Sequence, residues 1–124
     1  MKINEVAFSA YKVTDVDRAR GFYEGVLGLK NDGVHGGPAG TWIEYSMGPH
    51  TLAITNLDSP WKPSGDGGMV ALEADDFDKA VAEMRAAGVK FNMEPFASPV
   101  CRMAIVADPD GNTVCIHRRN DSPK

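Results

Sequence analysis

Two segments of the chain carry apolar residues at the spacing of one face of an amphipathic helix. The apolar positions recur at i, i+3, i+4 and i+7, and they are Ala19, Phe22, Tyr23, Val26 and Leu27 in the first segment and Phe77, Ala80, Val81 and Met84 in the second. A residue suited to N-capping precedes each helix and a glycine ends it: Thr14 or Asp15 with Gly28, and Asp75 or Asp76 with Gly88. Because the two segments lie about sixty residues apart, the chain is predicted to use one folding unit twice.

Alternating β-forming residues flank both predicted helices. In the first half they predict a strand within residues 3–13 and a hairpin of Thr41–Ser46 and Thr51–Asn56, with the glycine-rich segment Asn31–Gly40 as a loop. In the second half they predict a strand over Met69–Ala74, a short strand over Val89–Phe91, and a hairpin of Met103–Ala107 and Thr113–Arg118. The turn of this last hairpin, Asp108–Asn112, has the Asp, Pro, Gly and Asn residues of a tight reversal.

These elements predict one α+β domain over residues 1–124, long enough to bury a core without disulfides. The first module covers about residues 1–57 and the second about 69–119. The proline- and glycine-rich segment 58–68 is the expected linker, and residues 120–124 are the expected disordered tail.

Composition and charge narrow the class of protein. The formal net charge is -4 and no basic cluster is longer than Arg118 and Arg119, so nucleic acid is not an expected partner. The N-terminus has no apolar signal-peptide core, and no apolar run approaches the ~20 residues that cross a bilayer. Two cysteines do not make a disulfide framework. We therefore expect a soluble cytoplasmic protein that does not bind membranes.

The sequence resembles the vicinal oxygen chelate superfamily, which includes glyoxalase I, the extradiol dioxygenases and the bleomycin-resistance proteins. The resemblance covers essentially the whole chain, and its strongest parts are the stretch from Asp15 through Phe22 and Tyr23 to Leu27 and Gly28, and the turn Asp108–Asn112. It implies two βαβββ modules in tandem that form a curved mixed sheet, with an open cleft on one side and the helices outside.

In metal-dependent relatives, each module supplies two ligands to the cleft, one from its first strand and one from its last. The resemblance assigns these positions to Phe8, Ala53, Met69 and Cys115. Phenylalanine and alanine have no donor atom, methionine suits Cu(I) rather than Zn, Ni, Mn or Fe, and one thiolate is not a zinc site. We therefore expect no metal and no cofactor, and without a metal the isomerase and dioxygenase activities of the family lose their electrophile.

Strand alternation extends the expected lining of the cleft, because every second residue shares a face. The expected ligand-binding residues are Phe8, Trp42, Glu44, Ala53, Met69, Met103, Ile105, Cys115 and His117. A mostly apolar lining with few polar groups is typical of a small-molecule pocket, and an aromatic pair suits a flat ligand. The alternative is that these residues only fill the cleft or lie at a dimer interface.

The candidate acid or base residues are Glu44, Glu73 and His117. Glu44 would serve as a general base if desolvation raised its pKa. Side chains at i and i+2 of a strand stand roughly 7 Å apart, so Cys115 and His117 are too distant for a direct hydrogen bond. Cys115 is therefore interpreted as a buried, inert thiol.

Three hypotheses of function follow. The first is a metal-free protein of the bleomycin-resistance kind that binds a small, partly aromatic molecule in its apolar cleft, as a homodimer. The second is a metal-independent lyase, isomerase or hydrolase that uses a cleft glutamate or histidine as acid or base. The third is an interaction module without a small-molecule ligand. The first two require the same pocket, so the sequence does not separate them.

Overall fold

The structure is a computed structural model that describes residues 1–120. The chain divides into two compact units, Met1–Pro63 and Ser64–Lys124, and the division falls within the proline- and glycine-rich segment. Of the expected disordered tail, residues 121–124 lie outside the described residues, and the Asn120 amide donates to the carbonyl of Pro99 at 2.9 Å. In residues 1–120 no helix is long and apolar enough to cross a membrane.

The first unit follows the order βαβββ. Its elements are β1 (Ser9–Lys12), helix α1 (Val16–Arg20, continued with wider turns over Gly21–Val26), β2 (Gly33–Gly37), β3 (Gly40–Met47) and β4 (His50–Thr55). The sheet order is β1-β4-β3-β2, in which β1 is parallel to β4 and the other pairs are antiparallel.

The second unit repeats this plan. Its elements are β5 (Val70–Glu73), α2 (Phe77–Ala86), β6 (Phe91–Ala97), β7 (Cys101–Ala107) and β8 (Thr113–Arg119). The sheet order is β5-β8-β7-β6, again with the first strand parallel to the last. Two tandem βαβββ modules of class α+β are therefore confirmed.

The helix ends agree with the sequence pattern, with one difference inside the first helix. Asp15 and Asp76 are the N-caps, and each carboxylate accepts the backbone N–H three residues later. Gly28 has a φ of +73°, the left-handed conformation that suits glycine after a helix. Before it, the N–H of Leu27 bonds to the carbonyl of Phe22, five residues earlier, so the last turns are π-helical rather than α-helical.

Two strands differ from the expectation, and both lie at sheet edges. The segment expected as a loop contains β2, whose backbone pairs with β3 from Gly33 to Gly37. The short strand expected over Val89–Phe91 instead begins at Phe91 and continues to Ala97. Its register with β7 shifts between Phe91 and Met93 and again between Met93 and Phe96. The second interval contains Pro95, and an edge strand tolerates a proline because one row of its N–H groups has no strand partner.

The helix side of each sheet is the core. In the first unit the buried rings of Tyr11, Tyr23 and Tyr45 stack in sequence, with ring centroids 6.0 and 6.3 Å apart. We call the opposite side, turned away from the helix of the same unit, the distal face. It carries Ala10 and Ala53 in the first sheet, whose cross-strand registers place them in one row with Glu44.

A carboxylate joins the first helix to its sheet. Glu24 accepts hydrogen bonds from Arg20 Nε at 2.8 Å and from the Tyr45 hydroxyl at 2.9 Å. The Arg20 guanidinium holds the pKa of Glu24 below its usual range, although burial opposes this. Burial, together with the Glu24 carboxylate, raises the pKa of Tyr45, so its hydroxyl remains a donor.

The β7–β8 turn is held by a buried side-chain pair. Oδ1 of Asp108 accepts the N–H groups of Asp110 at 2.9 Å and Asn112 at 2.8 Å, while its Oδ2 accepts the Asn112 amide at 2.8 Å. The side-chain oxygen Oδ1 of Asn112 in turn accepts the N–H of Ser64 at 3.0 Å. The turn therefore also fixes the beginning of the second unit.

Candidate functional site

Two aromatic side chains in contact lie on the distal face of the first sheet. Phe8 precedes β1 and is 50% exposed, and Trp42 lies in β3. Their ring centroids are 5.1 Å apart at an interplanar angle of 88°, the edge-to-face arrangement that aromatic rings favour. These two rings, both among the expected ligand-binding residues, are therefore in direct contact.

Glu44 lies beside this pair. Its Oε2 accepts a hydrogen bond from the indole Nε1 of Trp42 at 3.0 Å, so the carboxylate orients the indole. Ala53 is paired with Glu44 across β3 and β4 and has no exposed surface. The structure thus brings together Phe8, Trp42, Glu44 and Ala53, the four expected site residues of the first unit.

Lys12 holds the segment after β4 against the end of β1. Its Nζ donates to the Trp61 carbonyl at 3.0 Å, to the Ser59 hydroxyl at 3.3 Å and to the Leu57 carbonyl. The ammonium also lies 6.0 Å from the centre of the Trp61 ring. Trp61, unusual in a proline-rich linker, is therefore anchored by a lysine of its own unit.

The distal face of the second sheet carries a carboxylate–imidazole pair. Glu73 Oε1 lies 2.5 Å from His117 Nδ1, and Glu73 Oε2 accepts the backbone N–H of Arg119 at 2.6 Å. Burial raises the pKa of Glu73, but the Arg119 N–H and the His117 ring outweigh it and hold that pKa below its usual range. The pair fixes the orientation of the imidazole.

The other expected site residues of the second unit lie in β7 and β8 or just before β5. Met103 is opposite His117 and Ile105 is opposite Cys115 in the β7–β8 register. Cys115 is fully buried, and burial raises the pKa of its thiol. Met69 precedes β5 and is 46% exposed.

The four positions that the resemblance assigns to metal ligands do not fit a metal. Phe8 packs on an indole, Ala53 has no donor atom, and the single sulfur of Cys115 does not make a zinc site. The part of the chain that the structure describes contains no group of three or more His, Cys, Asp or Glu residues placed to hold an ion.

An open groove of about 530 Å³ lies on the other side of the first sheet, along the beginning of the helix. Its lining consists of Thr14, Asp15, Val16, Asp17, Arg20, Val34, Thr41, Ile43 and Asn56. Two of its charged groups already have partners, since Asp15 caps the helix and Arg20 bonds to Glu24. The groove therefore does not coincide with the site expected from the sequence.

Sequence reasoning identified these residues one by one but missed how two of them pair. Glu73 and His117 were separate candidates, yet they are direct partners across β5 and β8. The available signal was that both residues were expected to face the cleft, Glu73 from the first strand of its module and His117 from the last. The anchoring of Trp61 by Lys12 had no comparable signal.

Solved structures with this fold include proteins of more than one activity. An antibiotic-binding protein from a Streptomyces species is 26% identical, with a TM-score of 0.79 over 97% of this chain and 99% of that one. The trypanothione-dependent glyoxalase I of Leishmania major is 27% identical, with a TM-score of 0.76 over 94% and 87%. A glyoxalase, bleomycin resistance protein or dioxygenase domain from a Frankia species shares the fold at 14% identity, with a TM-score of 0.78 over 98% and 96%.

No curated protein matches this sequence significantly. The family model described as Glyoxalase/Bleomycin resistance protein/Dioxygenase superfamily matches residues 2–116, nearly the whole chain. The protein therefore belongs to the glyoxalase, bleomycin resistance protein and dioxygenase superfamily.

Proposed function

We propose that this protein is a metal-free binding protein for a small, partly aromatic molecule, acting as a homodimer in the cytoplasm. The observation that carries the proposal is the contact of Phe8 with Trp42 on the distal face, where the family places metal ligands. A half-exposed ring packed edge-to-face on an indole offers a flat ligand a surface for stacking. The antibiotic-binding relative from Streptomyces supports a binding function of this kind.

The chemistry of the four family ligand positions supports the metal-free part of the proposal. Neither Phe8 nor Ala53 can donate an electron pair to a metal, and one cysteine, Cys115, is not a zinc site. Elemental analysis of the purified protein tests this part. A stoichiometric amount of Zn, Ni, Mn or Fe would contradict it.

Ligand binding can be tested through the two tryptophans of the chain. Titration with a panel of flat aromatic compounds, neutral and charged, is expected to change the emission of Trp42. In the Trp61→Phe variant the response should persist, because Trp42 is then the only tryptophan, and in the matched Trp42→Phe variant it should disappear. A panel that leaves Trp42 emission unchanged would contradict the proposal.

The Glu73–His117 pair favours a second candidate, a metal-independent lyase, isomerase or hydrolase. A carboxylate that fixes one ring nitrogen leaves the other, Nε2, to exchange protons with a substrate. In this case the protein should turn over a compound of an ester and carbonyl panel, and His117→Gln should lower the rate by about 10²-fold or more without loss of binding. Equal rates in His117→Gln and the unmodified protein would exclude this candidate.

A further inference from the structure

Only one of the two carboxylate oxygens of Glu44 accepts a hydrogen bond within the described residues. Its Oε2 is bonded to Trp42 Nε1, whereas its Oε1 has no hydrogen-bond partner within residues 1–120. No lysine or arginine of the described chain forms an ion pair with it, although the side chain is only partly exposed. A partly desolvated carboxylate without a counter-ion is suited to a cation from outside the protein.

A lysine on the same face bonds to other groups. Lys12 lies in the cross-strand row of Trp42, next to the row of Glu44, but its ammonium bonds to oxygen atoms of Leu57, Ser59 and Trp61. It therefore anchors the segment after β4 and does not neutralise Glu44.

The backbone position beside this oxygen carries no side chain. Gly33 is paired with Glu44, and an added Cβ at Gly33 would lie 3.8 Å from Glu44 Oε1 and 2.9 Å from His35 Nε2. We call this position, between the Gly33 backbone, Glu44 Oε1 and the His35 ring, the Gly33 notch. It is too tight for a carbon atom, but 2.9 Å from His35 Nε2 is an ordinary hydrogen-bond distance for a donor nitrogen. The Phe8–Trp42 pair adjoins the notch through the Trp42–Glu44 hydrogen bond.

We propose that the distal face of the first sheet recognises an aromatic cation, with its amidinium or ammonium group at Glu44 Oε1 in the Gly33 notch and its ring against Phe8 and Trp42. The inference rests on the proposed binding function and adds the charge of the ligand. A carboxylate strengthens a hydrogen bond from a cationic donor, and an aromatic face attracts the same cation.

Naphthamidine and naphthamide form a matched pair of probes with the same shape, one cationic and one neutral. By calorimetry at low salt, naphthamidine is expected to bind about tenfold or more tightly than naphthamide, because a charge-assisted hydrogen bond is worth a factor of this order. Glu44→Gln keeps an acceptor for Trp42 Nε1 and removes the charge, so the two probes should then bind within about twofold of each other. Glu83→Gln, which makes the same charge change on the exposed side of α2, should preserve the preference.

The notch is tested separately by Gly33→Ala, whose added methyl group meets the movable end of the His35 side chain. Naphthamidine affinity should fall about fivefold or more in this variant and stay unchanged in Gly36→Ala on the same strand, because added bulk in a bound site costs affinity. Circular dichroism of each variant separates loss of binding from loss of fold.

The outcomes distinguish this inference from the proposed function. If both probes bind the unmodified protein equally, or if the preference survives Glu44→Gln, the cation inference is wrong and the binding function stands. Unchanged naphthamidine affinity in Gly33→Ala likewise overturns the placement in the notch. If neither probe binds while another flat compound does, only the inference fails, and if no aromatic compound binds, both fail.

Discussion

Replacing Asp108 with alanine is expected to lower the free energy of unfolding by about 3 kcal/mol, the order of magnitude for breaking a buried hydrogen-bond network. Asp108 is 4% exposed, and its carboxylate accepts hydrogen bonds from Asp110 and, twice, from Asn112. Alanine removes the acceptor of these three hydrogen bonds, including the one from the buried backbone N–H of Asn112, and removes a contact that positions the side-chain amide to which Ser64 donates. Urea unfolding followed by circular dichroism measures the effect.

Two further variants show whether the acceptor oxygens are responsible. Asp108→Asn keeps one acceptor oxygen and should lose an intermediate amount of stability. Asp75→Ala removes an exposed carboxylate and should change the free energy of unfolding by less than about 0.5 kcal/mol. An Asp108→Ala protein as stable as Asp75→Ala would show that the turn does not depend on this carboxylate.

Glu24→Gln is expected to lower the free energy of unfolding at neutral pH by about 1–3 kcal/mol, because Glu24 joins Arg20 of the helix to the buried Tyr45 hydroxyl of the sheet. The loss should depend on pH. Arg20 lowers the pKa of Glu24 in the folded state, so the contribution is complete above the unfolded value of 4.5 and disappears as pH falls through the folded pKa. The difference between Glu24→Gln and the unmodified protein should therefore shrink in acid.

Urea unfolding at neutral pH, near pH 4.5 and in stronger acid measures this dependence. Glu83→Gln provides the control, since its exposed ion pair with Lys79 spans 3.9 Å and should contribute little at any pH. A stability difference for Glu24→Gln that is constant across these conditions would contradict the assigned role of the ion pair.

The sequence predicted those parts of the fold that side-chain patterns encode. The helix faces around Phe22 and Phe77 and the glycine after the first helix were correct, because burial and left-handed backbone geometry restrict residue type. The β2 strand was missed, because a glycine-rich edge strand is held by its backbone pairing with β3 and has almost no side-chain alternation. The extent of β6 was missed for a related reason, since Pro95 opposes strand formation except at an edge or a bulge.

For the candidate site, the sequence predicted which side chains share a strand face, but not which of them are in contact. Alternation placed Trp42 with Glu44 on one face of β3, because a strand has a fixed period of two, and pairing across the last turn added Met103 to the face of His117. The contact of Glu73 with His117 needed the register of a parallel pair, which depends on residues 44 positions apart in the chain. The path of the segment that Lys12 holds depends on loop conformation, which no local pattern encodes.

The parallel pairing of β1 with β4 has a consequence for the order of events during synthesis. The residues of β1, Ser9–Lys12, have no strand partner until His50–Thr55 have emerged from the ribosome, when β4 inserts between β1 and β3. From that moment the first sheet has every strand it uses, and its strand pairing requires nothing from residue 64 onward. The nascent chain is therefore expected to fold in two separate steps, each completed by the arrival of the last strand of its unit.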